Sequence, residues 1–137
     1  MRKLQEEVRI ELAKKRLSEE LKKRYLALME DAAENMKALK FEKALSNYKE
    51  VLDFVPNDTI ALEGLRNAEL AISNRLKYEK IQLLLAAGIV LFSEKKYKDA
   101  RNDFEEVLSL DIKNREAKKY IDQIDDILES NRNLELT

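Results

Sequence analysis

Apolar residues recur at helical spacing along nearly the whole chain, and few residues interrupt them. From the N-terminus the series Leu4, Val8, Leu12, Leu17, Leu21, Tyr25, Leu28, Ala32, Met36 and Leu39 predicts one long helix ending near Lys40. Its first part is mostly charge around a thin apolar stripe, a pattern suited to docking or coiled-coil pairing rather than to a core. A second helix is predicted over Glu42–Phe54, with Ala44, Leu45, Tyr48, Val51 and Leu52 inward. Pro56-Asn57-Asp58 ends it, because proline disfavours the α conformation in the residue before it and Asn or Asp caps the next helix. From Thr59 to Lys95 no residue forces a stop, so the pattern fits one continuous helix or two with a break near Ser73–Lys77. Helices over Lys98–Leu110 and from Arg115 to about Leu128 complete the series. The fold class expected is therefore all-α.

A shift of 56 residues lays the chain onto itself. It carries Lys40, Ala44, Glu50, Val51, Leu52 and Ala61 onto Lys96, Ala100, Glu106, Val107, Leu108 and Ala117. It also carries Phe41 onto Tyr97, Tyr48 onto Phe104 and Phe54 onto Leu110, so the matches fall mainly on inward positions. The chain resembles the tetratricopeptide repeat (TPR) family, whose helix–turn–helix unit has about 34 residues. In the second copy the resemblance runs from Ile81 to Asn114 through Leu84, Ala87, Gly88, Leu91, Tyr97, Ala100, Phe104, Val107 and Leu110. In the first it runs from Tyr25 to Asp58 through Leu28, Ala32, Phe41, Ala44, Tyr48, Val51, Phe54 and Pro56. The chain departs from the pattern at Asp31, at Ile112 in place of the closing proline, and in the stretch 59–80 between the copies.

The expected organisation is a charged helical extension (1–24), a first TPR-like hairpin with its following helix (25–76), a second hairpin with a capping helix (77–129) and a flexible tail (130–137). The resemblance implies a non-enzymatic scaffold that receives a partner peptide or helix. The surface positions it implies are Asn35 and Lys37 in the first copy and Gln82, Leu85 and Ile89 in the second. Leu85 and Ile89 share a face of a segment that is apolar nearly all round, and such a segment needs cover on every side. The alternative function is self-association through the N-terminal and second-repeat helices.

Composition narrows the chemistry. The chain has no cysteine and no histidine, which removes thiol nucleophiles, disulfides, thiolate metal sites and imidazole acid–base pairs. Two glycines and one proline leave no phosphate-binding loop. No catalytic residue, cofactor or metal site is expected; Asp122, Asp125 and Asp126 read as solvated charges. No apolar stretch is long enough to span a bilayer, and the expected partners are proteins, with a homo-oligomer as the other option. Residues 1–24 hold nine Lys or Arg against five Glu, whereas the whole chain is at −1. No aromatic residue interleaves those cations, which argues against nucleic acid. Compartment stays open: cytoplasm for a native start at Met1, a bacterial periplasm or envelope for an excised domain.

Overall fold

The computed structural model describes residues 2–136, and among them the chain forms five helices: α1 (Arg2–Lys37), α2 (Phe41–Phe54), α3 (Thr59–Ser93), α4 (Tyr97–Leu110) and α5 (Arg115–Leu136). The open question in the middle of the chain resolves to one continuous helix. Asn74 costs well under about 1 kcal/mol inside a helix, far less than abandoning several backbone hydrogen bonds, and an Arg75–Glu79 pair one turn apart spans the doubtful stretch. At the C-terminus α5 runs on to Leu136, eight residues past the end expected near Leu128. Neither glycine nor proline follows Leu128 to stop it. Thr137 lies outside the described residues.

The chain divides into two compact units, Met1–Ser73 and Asn74–Thr137. In the first, Ala32 of α1, Ala44, Tyr48 and Val51 of α2, and Ala61 and Ala68 of α3 form the buried core. In the second, Ile81 and Leu85 of α3, Ala100, Phe104 and Val107 of α4, and Ala117 and Ile124 of α5 do the same. Each core therefore takes three helical segments. The alanines are fully buried because helices approach closely only where the side chain between them is small.

The 56-residue shift holds in the backbone as well as in the side chains. α2 and α4 begin and end at equivalent residues. The turns before them match too: Leu39 and Lys95 both adopt the left-handed conformation, with φ of 60° and 64°. In each, the next amide reaches back across the helix end, Lys40 N–H to the Asn35 carbonyl (2.8 Å) and Lys96 N–H to the Leu91 carbonyl (2.9 Å). That is the Schellman closure, made here without the usual glycine. The second turns match as well. The Asp58 carboxylate accepts the Ala61 N–H (3.2 Å) and the Asn114 side-chain oxygen accepts the Ala117 N–H (2.9 Å), capping α3 and α5.

The copies differ in how they accommodate their central ring. Tyr48 lies against Gly64 of α3, with Ala32 at the facing position of α1. Phe104 lies against Gly88 of α3 and stacks on Tyr120 of α5, ring centroids 4.8 Å apart and planes within 3°. Under the shift Ala32 corresponds to Gly88 and Gly64 to Tyr120. The glycine thus sits on the closing helix in one copy and on the opening helix in the other, and each ring tips toward the side where a Cβ is missing.

Candidate interaction surfaces

Among the described residues no polar or charged side chain is buried, and no buried side-chain nitrogen or oxygen lacks a partner. The titratable groups instead form surface pairs that brace the hairpins. Arg24 of α1 pairs with Glu50 of α2 and lies over the Phe54 ring, 5.2 Å from its centroid. Its counterpart Lys80 pairs with Glu106 at 3.8 Å. Tyr25 donates its hydroxyl to the capping Asp58 (2.8 Å), and that hydrogen bond to a carboxylate raises the phenol's pKa, with partial burial adding to it. In the second copy Ile81 replaces the tyrosine and the neutral Asn114 replaces the carboxylate, so donor and charge are lost together. Arg101 of α4 grips Asp125 of α5 with two hydrogen bonds, 2.7 and 3.2 Å, and also pairs with Glu105. The Arg101 hydrogen bond holds the Asp125 carboxyl below its usual range. No cluster of three metal-ligating side chains occurs among the described residues, and no described helix is long and apolar enough to cross a membrane.

Of the five surface positions expected from the sequence, Lys37 and Gln82 are exposed. Asn35 is half-buried and donates to the Asn47 side chain of α2 at 2.8 Å, which makes it a brace within the hairpin. Leu85 requires correction: it is 4% exposed and belongs to the core of the second unit. Ile89 is half-buried against that same core. The physical reason is α5. A two-helix hairpin would leave the Leu85–Ile89 face open, but Ala117, Ile121 and Ile124 of α5 join α4 in covering this part of α3. The side left open is another one. Leu76, Leu83 and Val90 are 55%, 72% and 55% exposed, with Ala86 and Ala87 exposed beside them. The all-round apolar composition signalled that a face would stay uncovered, but it could not say which.

The other open surface is the N-terminal part of α1, where residues 2–24 are all exposed. Two apolar faces run along it. At 100° per residue Ile10 and Leu21 fall within the inward arc of the following hairpin helix, Leu17 and Leu4 lie just beyond its two edges, and Val8 and Leu12 lie on another side. Under the 56-residue shift this leader occupies the place of a closing helix. The closing helices present Ala61, Leu65, Ala68 and Ile72, or Ala117, Ile121, Ile124 and Leu128. At those positions the leader has Gln5, Arg9, Leu12 and Arg16. Two guanidinium groups stand where an apolar hairpin would need aliphatic side chains.

No protein-family model matches the chain, and no curated protein matches it. Among solved structures it is similar to the NMR structure of the first TPR domain of the human RPAP3 protein. Identity is 24%, the match covers 80% of this chain and 95% of that one, and the TM-score is 0.37. The architecture of the chain rests on its own duplicated geometry.

Proposed function

We propose that the protein is a non-enzymatic interaction scaffold whose two helical units carry a basic leader helix that captures an acidic amphipathic helix of a partner protein. The observation that supports this most directly is the leader itself, residues 2–24 of α1, which is exposed throughout yet carries Leu4, Val8 and Leu12 one turn apart on one face. Each such side chain kept in water forgoes about 1.5–3 kcal/mol that burial would supply. Glu7 and Glu11 border that face on one side, Lys15 lies within it and Arg16 borders the other side, in a leader with nine Lys or Arg against five Glu. Carboxylates along the basic side of a leucine stripe would pair with cations that an apolar partner would strand. The absence of histidine and cysteine and the surface pairing of the carboxylates are in keeping with a binding role rather than catalysis.

The test is fluorescence anisotropy with two labelled synthetic helices. Both carry leucine at i, i+4 and i+8; one is flanked by glutamates and the other by lysines. The acidic helix should bind the full chain, weaken as salt is raised, and fail to bind a chain lacking residues 1–20 whose helical circular dichroism persists. Equal binding of the basic helix, or undiminished binding to the truncated chain, would sink the proposal.

A further inference from the structure

We infer that the outer face of α3 in the second unit is a self-association surface, on which a second copy of the chain packs antiparallel about a two-fold axis at Leu83. Leu76, Leu83 and Val90 are spaced seven residues apart, so they form a narrow seam of the coiled-coil kind rather than a scattered set. All three are more than half exposed and lie on the side of the helix away from Ile81, Leu85 and Gly88. The spacing is symmetric about its centre. In an antiparallel pair Leu83 meets its own copy, while Leu76 of each chain meets Val90 of the other.

Three further features select a second copy in that orientation. The seam is thick at one end and slim at the other: Glu79 and Lys80 flank its first half, Ala86 and Ala87 its second. Antiparallel packing sets the long side chains of one copy against the alanines of the other, whereas parallel packing would set bulk against bulk. Charge follows the same division. Residues 74–80 hold four charged side chains and residues 81–93 none, so crossing the halves brings no like charges together. Finally, an antiparallel copy opposes the two helix dipoles, whereas a parallel copy would align them. The seam comprises seven residues between Leu76 and Val90, fewer than the roughly 20–30 a side of a standard stable interface, so the dimer is weak and depends on concentration. This surface is separate from the leader and does not depend on its role.

Because the chain has no cysteine, single thiols report the geometry directly. Leu83→Cys should oxidise to a disulfide-linked dimer at least about tenfold faster than Ile112→Cys, an exposed control on the α4–α5 turn. Leu76→Cys alone and Val90→Cys alone should not, since about 21 Å separates these positions along the helix, yet a mixture of the two should cross-link. As a second measurement, Leu83→Glu should shift sedimentation equilibrium toward monomer with unchanged circular dichroism. Cross-linking of Leu83→Cys at the control rate overturns the proposal. So does rapid self-linking of Leu76→Cys, which would mean parallel pairing. Loss of the Leu83→Cys dimer on deleting residues 1–20 would overturn it too, by assigning association to the leader; capture of an acidic helix is read separately by anisotropy.

Discussion

Replacing Gly88 with alanine pits two effects of known sign against each other. In an exposed helix the change would stabilise by about 1 kcal/mol. Here the new Cβ would stand 2.8 Å from Phe104 Cζ and 2.9 Å from Cε1, about 1 Å inside ordinary contact. The ring cannot withdraw cheaply. Phe104 is fully buried, and the Tyr120 ring stacked on its far side is itself held edge-on by Phe92 at 5.2 Å. Overpacking of this kind costs about 1–3 kcal/mol, so Gly88→Ala should be net destabilising by about 1–2 kcal/mol, read from urea melts followed by circular dichroism. The first unit shows what would relieve it: Ala32 is tolerated opposite Tyr48 because Gly64 stands where the second unit has Tyr120. Tyr120→Gly alone should cost more than about 3 kcal/mol, through the lost ring and the glycine in a helix. Added to that background, Gly88→Ala should cost nothing or stabilise, giving a coupling of about 1–3 kcal/mol in a double-mutant cycle. Additive effects, or a Gly88→Ala protein as stable as its parent, would refute the account of the two copies as opposite solutions to one packing problem.

Leu39→Gly and Lys95→Gly should each stabilise by about 0.5–1 kcal/mol in the same melts, since both residues hold a left-handed conformation that glycine adopts without strain. Tyr25→Phe should cost about 0.5–1.5 kcal/mol at neutral pH by removing a donor from the capping Asp58. Because the folded state raises the pKa of Tyr25 above its ordinary 10.0, the stabilisation is complete below that value and fades as pH climbs past it. Alkaline melts should therefore weaken the parent more steeply than Tyr25→Phe; parallel pH profiles would contradict this.

Helix content and the stop at Pro56-Asn57-Asp58 were readable from residue order, because each depends on neighbours within a turn or two. Alternation at i, i+3 and i+4 makes Phe41–Phe54 and Tyr97–Leu110 helices whatever surrounds them, and Asp58 and Asn114 each cap the helix that starts at the very next residue. The 56-residue shift likewise needs only comparison of the chain with itself. What local order could not settle was the orientation of residues 81–93. With apolar side chains on every side of that segment, no face is marked as inward, and only the packing of α5 decided that Leu85 is core while Leu83 is surface. The left-handed residues escaped notice for a related reason. Leu39 and Lys95 carry no glycine signal, and their conformation is imposed by the need to turn one helix back onto the next. The leader presents the converse case. Its charge was legible, but the position of Arg9 and Arg16 where the closing helices carry aliphatic side chains became visible only when α3 and α5 showed which face a closing helix buries.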